Sequence, residues 1–140
     1  MSKYIIDTNI YIDFYNTGKF KEIIYQKKYP EIIYVSSVVI MELLAGAFIK
    51  ENHAIIANLI KTAHARAKII SPSQNDFFEA GKILAKLQSE TGYDLKKAYS
   101  ITNDVLIALS ARRIGAIVLT QNRKDFAAIS KLKNFSLQIV

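Results

Sequence analysis

The chain reads as an α/β protein with a central parallel β-sheet flanked by α-helices, and two observations carry that reading. Short β-prone runs at residues 3–6, 32–35, 67–70, 116–119 and 136–140 alternate with longer segments of helical period. Helix start and stop residues stand near the junctions between them. Parallel strands joined by right-handed crossovers leave their carboxyl ends along one edge, where ligands of open α/β sheets bind.

Each element has its own justification. The first strand, Lys3-Tyr4-Ile5-Ile6, stops at Asp7. Residues 8–29 read as helical and carry Tyr11, Phe14, Tyr15, Phe20, Tyr25 and Tyr29. Most of these rings belong to the core or a half-buried surface, while tyrosines with apolar bodies and polar tips also suit a partner groove. Residues 32–49 are almost continuously apolar and near membrane-spanning length. Glu42 near their middle is costly in a bilayer, and Ser36-Ser37 divides the run. A buried strand followed by a core helix, capped by Ser37 and running to about Lys50, therefore replaces a membrane span.

The next helix, residues 52–66, carries His53 and His64, which have no metal-ligand spacing and read as partly exposed helix residues. After the strand at 67–70, Ser73 caps a helix with Asp76 in its first turn, ending before Gly92. Thr102 is expected to cap a helix that stops at Gly115, with Asp104 in the first turn, where the macrodipole favours a carboxylate. Plain capping is the bland role for that acid. The strands at 116–119 and 136–140 close the pattern.

A chain of 140 residues with two prolines, five glycines and no evident linker reads as one domain, residues 1–140, burying roughly two thirds of its unfolded surface. It has no cysteine, which excludes disulfides and thiolate zinc sites and is compatible with a reducing cytoplasm. The amino terminus meets Asp7 after three apolar residues, too soon for a secretory signal, so a cytoplasmic location is expected. The 19 Lys and Arg against 12 Asp and Glu leave a net charge of +7. Such a balance favours polyanions, although many small proteins are basic for solubility alone.

Against that basic background, Asp7, Glu42, Asp104 and Asp125 fall where the pattern would bring them to one end of the sheet. Glu42 and Asp104 interrupt apolar surroundings, and a buried ionised carboxylate needs a partner. Two like charges at 4 Å repel by about 4 kcal/mol at an effective dielectric of 20. At least one of the four should then hold a raised pKa, and a hard divalent cation, Mg²⁺ or Mn²⁺, is the simplest neutralising partner. With such a cation, a carboxylate can orient or deprotonate a water for phosphodiester hydrolysis. The sequence has no Walker-type loop, no zincin pair and no evident Ser/His/Asp ordering.

In order and context these acids resemble those of the PIN-domain ribonucleases, and among them the VapC-type toxins of toxin–antitoxin pairs. The resemblance spans essentially the whole chain. Its carriers are Asp7-Thr8-Asn9 after the first strand, the segment from Ser36 to Gly46 around Glu42, Asn103-Asp104-Val105-Leu106-Ile107-Ala108, and Leu119-Thr120-Gln121-Asn122-Arg123-Lys124-Asp125-Phe126. It implies a PIN-like fold, dependence on Mg²⁺ or Mn²⁺, and endonucleolytic cleavage of RNA. By position, Asp7, Glu42 and Asp104 are the principal metal-binding and catalytic carboxylates, and Asp125 is the more variable fourth, which Asn122 could partly replace. Thr8, Asn9, Thr120 and Asn122 are candidates to hold those carboxylates or waters in place.

The resemblance also implies a homodimer and a cognate antitoxin that silences the site, a basic antitoxin side chain serving as a stand-in cation. Lys82, Lys86, Lys96, Lys97, Arg112, Arg113, Arg123 and Lys124 are candidate contacts to substrate phosphates. The alternatives are a PIN nuclease of RNA processing without a toxin role, an RNA-binding PIN scaffold that does not cut, and a phosphatase with Asp7 as nucleophile. Phosphatases of the last kind use Asp-x-Asp, whereas position 9 is Asn9.

Overall fold

The structure, a computed structural model, describes residues 2–25, 32–47, 50–96 and 100–140. Five parallel strands, β1 (Lys3–Ile6), β2 (Ile33–Ser36), β3 (Ile69–Ile70), β4 (Ala116–Thr120) and β5 (Ser136–Ile139), stand in the order β3-β2-β1-β4-β5. The chain builds outward from β1 to β3, then returns to the other side of β1 with β4 and β5. The order therefore reverses between β1 and β4, where Ile5 faces Val118 and Ile6 faces Leu119. Crevices outside the carboxyl ends of strands form at such reversals.

The described helices are α1 (Thr8–Thr17), α2 (Lys21–Ile24), α3 (Ser37–Ala45), α4 (Lys50–Ala65), α5 (Gln74–Thr91), α6 (Ser100–Ile114) and α7 (Arg123–Leu132). β4 is buried along almost its whole length, as expected of a central parallel strand covered on both faces, whereas β5 alternates exposed and half-buried residues at the sheet edge. α6 is the central helix: Ile101, Val105, Ile107 and Ala111 are fully buried, and it packs on α5, β4 and α7. The core joins these to Ile5, Ile10, Tyr11, Val39, Leu87, Val118, Phe126 and Ile129. No described helix is long and apolar enough to cross a membrane.

Several boundaries differ from the sequence expectation. Over its described residues, 8–25, the helical segment expected at 8–29 is two helices, broken where Gly18 (φ 77°) closes α1 by donating its N–H to Phe14 O and Phe20 (φ 66°) opens α2. The strained Phe20 backbone is held by a ring packed against the core. Tyr29 and Lys97 lie outside the described residues.

The apolar run divides into β2 and α3 as anticipated, but the cap is Ser36, whose Oγ accepts from Val38 N at 3.1 Å, rather than Ser37. The expected strand at 67–70 shrinks to Ile69–Ile70, because Ala67 takes a left-handed conformation (φ 53°) in the turn that ends α4. His53 and His64 are exposed.

The cap of α5 is as expected: Ser73 Oγ accepts from Asp76 N at 3.1 Å and Asp76 Oδ2 accepts from Ser73 N at 2.9 Å. The same Oδ2 accepts from Arg113 Nε at 3.1 Å, fastening the start of α5 to the end of α6. Ser73→Ala is expected to lower the unfolding free energy by about 1 kcal/mol, read as a shift of the urea midpoint at constant slope.

Candidate active site at the carboxyl ends of β1 and β4

Asp7 follows the last residue of β1 and caps α1: its Oδ1 accepts from Thr8 N at 2.8 Å. Its other oxygen accepts from Thr120 Oγ1, the end of β4, at 2.7 Å. A backbone bond from Asp7 N to Leu119 O (2.9 Å) closes the same junction. Asp7, Thr8 and Thr120 are all buried. Thr8 turns its hydroxyl to Glu42 on α3, donating to Oε1 at 2.8 Å. The first motif thus touches both the second and the fourth.

Asp104 projects from α6, where it is buried. Because α6 begins at Ser100 rather than after a cap at Thr102, Asp104 sits in the second turn, past the reach of N-terminal capping and of most of the macrodipole. Simple capping therefore does not account for this carboxylate. Asn122 caps α7 by accepting from Asp125 N (3.3 Å), and its amide donates to Asp125 Oδ2 (2.9 Å) and Asp104 Oδ2 (3.3 Å). Asn122 N in turn donates to Thr120 Oγ1 at 2.9 Å. Asn122 acts as a bridge between the two acids.

The electrostatics follow from burial and crowding. Asp104 is pushed up to about 8, first by burial and then by the charges of Asp7, Asp125 and Glu42. Burial also raises Asp7 against the opposing pull of the Thr120 and Thr8 hydrogen bonds. Glu42 is raised by burial and, secondarily, by Asp7, while Thr8 and Asn103 favour its charged form. Among the described residues no Lys, Arg or His pairs with any of the four acids; their partners are neutral hydroxyl, amide and backbone N–H donors.

An oxygen-only donor set with excess negative charge has the chemistry of a hard divalent cation site. As they stand, turned to their neutral donors, no three described acids or histidines form a group that could hold one ion. The fit rests on donor chemistry and charge.

Of the other sequence candidates, Asn9 is exposed on α1 and makes no side-chain hydrogen bond to a described residue. Arg123 and Lys124 are exposed in the first turn of α7 beside Asp125, and Lys96 lies in the loop that follows Tyr93. Arg112 and Arg113 do not join them. They end α6, which feeds β4 from its amino end, and their guanidinium groups are held by Asn134 O and by Asp76 with Ser71 O. Lys82 pairs with Glu79 on α5.

Three contributors were missed in the sequence. Asn103, quoted in the third motif but given no role there, favours the charged form of Glu42. Gln121 Nε2 donates to Asp13 Oδ2 at 2.8 Å, tying the loop after β4 to α1. Tyr93, from the loop between α5 and α6, donates to Asp125 Oδ1 at 2.8 Å; as a lone tyrosine after a helix-ending glycine, it gave no periodic or spacing cue.

The aromatic residues of α1, and Tyr25 just after α2, lie apart from the acids. Tyr11, Phe14, Tyr15 and Tyr25, with Leu59 and Lys68, line an open cavity of about 490 Å³.

The sequence matches the PIN domain over residues 4–132. The chain belongs to the PIN-domain family. Among solved structures it is similar to VapBC2 from Rickettsia felis bound to a DNA fragment of its promoter, at 25% identity and a TM-score of 0.71 over 98% of each chain. It is also similar to a toxin–antitoxin complex from Klebsiella pneumoniae, at 28% identity and a TM-score of 0.56, covering 89% of this chain and 91% of that one. DNA-bound VapBC from Salmonella typhimurium shares the fold at 20% identity and a TM-score of 0.71, over 99% of this chain and 98% of that one. No curated protein matches the chain.

Proposed function

We propose that the chain is a metal-dependent RNA endonuclease and the toxin of a toxin–antitoxin pair. One observation carries the catalytic half: a buried Asp104 crowded by Asp7, Glu42 and Asp125, all held by neutral donors and none paired with a described basic side chain. Asp7, Glu42 and Asp104, with Asp125 as the fourth member, are the residues that would hold Mg²⁺ or Mn²⁺. When bound, the cation supplies Lewis acidity at a phosphodiester oxygen and lowers the pKa of water.

The protein's own groups do the rest. Thr120 and Thr8 lock the Asp7 and Glu42 carboxylates, Asn122 spans Asp104 and Asp125, and one of these carboxylates accepts the proton of the attacking water. Arg123, Lys124 and Lys96 draw the RNA backbone toward the acids. Asp7 has both oxygens engaged by donors, which suits a fixed ligand better than a phosphatase nucleophile.

The toxin half is supported by the likeness to toxin–antitoxin complexes at 25% and 28% identity. A cognate antitoxin placing a basic side chain among the acids would supply the missing charge without the chemistry. A homodimer completes this reading.

The test is cleavage of total cellular RNA by the purified chain in Mn²⁺, Mg²⁺ or EDTA, beside Asp7→Asn. Discrete fragments that require metal and fall at least about a hundredfold in the variant are expected, since the variant loses a charge that acts in the transition state. RNA that is bound but never cut would favour the silent scaffold. Growth arrest on expression, relieved by the product of a neighbouring small gene, separates a toxin from a processing nuclease.

A further inference from the structure

We infer that Tyr93 is a positioning residue for Asp125, its phenol hydroxyl holding that carboxylate in place beside Asp104; the inference rests on the proposed cation site. Asp125 is half-buried, in the first turn of α7. A carboxylate in such a place has more than one rotamer open to it, and the charges of Asp7, Glu42 and Asp104 favour the one that points away. Two neutral donors oppose that, one on each oxygen: Tyr93 Oη at 2.8 Å from Oδ1 and Asn122 Nδ2 at 2.9 Å from Oδ2.

The two donors are not equivalent. Asn122 caps the helix that carries Asp125, so it moves with that helix. Tyr93 reaches in from the α5–α6 connection, with its N–H bonded to Leu87 O at the end of α5 and its ring packed against the core. It ties Asp125 to the pair of helices that bears Asp104. A phenol also suits this place chemically, because a lysine or arginine there would supply the positive charge that the site leaves to a cation.

The experiment compares wild type, Tyr93→Phe, Asp125→Ala and the double variant. Mn²⁺ affinity is read by calorimetry, metal-free melting by circular dichroism, and RNA cleavage as separate kcat and KM. Tyr93→Phe is expected to weaken Mn²⁺ binding about tenfold, the low end of losses seen when groups that orient metal ligands are removed. It should lower kcat with KM unchanged. In the Asp125→Ala background it should cost no further affinity, because the two residues act as one unit.

Mn²⁺ binding in Tyr93→Phe as tight as in wild type, or an equal loss in both backgrounds, overturns the inference and leaves the proposed function standing. A wild type that binds no Mn²⁺ takes down the cation reading and this inference with it.

Discussion

Asp104→Asn is expected to abolish RNA cleavage and, in the same molecule, to stabilise the metal-free fold above neutral pH. The two effects have one origin. Asp104 is buried, and three acids face it, so its carboxyl rises from the ordinary 3.8 to about 8. Between those values the native state holds a proton that the unfolded chain has released. Stability therefore falls as pH rises through that window and levels off above about 8.

Asparagine keeps the shape and removes the titration. Each tenfold of proton affinity is about 1.4 kcal/mol, so the variant should gain a few kcal/mol at pH 8 and little at pH 4. In a domain of this size that is a rise of at least about 5 °C in melting temperature in EDTA. Cleavage should fall at least about a hundredfold, as for removal of one charge that acts in the transition state. Equal melting of variant and wild type across pH 4–9 would show that Asp104 does not carry the strain.

Apparent Mn²⁺ affinity should rise at least about tenfold per pH unit below pH 8 and flatten above it. A cation requires the ionised carboxylate, so binding below that pH expels the proton held by Asp104. Calorimetry in two buffers of different ionisation enthalpy would count the protons. At a hundredfold excess of Mn²⁺ over its dissociation constant the native state gains about 2.7 kcal/mol, offsetting much of the loss caused by ionisation. A flat affinity profile between pH 6 and 9 would detach Asp104 from the metal.

Much of this was legible because acids in apolar company are conspicuous. Strand β1 ending at Asp7, the serine break before α3 and the cap at Ser73 are local patterns with local causes, and each is present in the structure within a residue. The start of α6 was misjudged by three residues, which moved Asp104 from a turn where any acid is at home to one where it needs a reason. Arg112 and Arg113 were grouped with the RNA-facing charges because a count of basic residues has no direction. The polarity of a helix feeding β4 puts its last turn at the far edge. Tyr93 could not be found in advance: its hydrogen bond spans 32 positions, and only the packing of α5 against α6 and α7 delivers the ring to Asp125.

The bond from Thr120 to Asp7 joins residues 113 positions apart, and this has a consequence during synthesis. A ribosome adding about 5–20 residues each second releases β1 long before β4 exists. Until β4 emerges and pairs beside it, Asp7 has no Thr120, Asp104 has no Asn122, and the acids are not assembled. The acids come together only once β4 and α7 dock on the earlier elements, so under the proposed function the nascent chain does not cut RNA before then. On that reading the proposed antitoxin has a natural interval in which to act, between release of β1 and docking of β4.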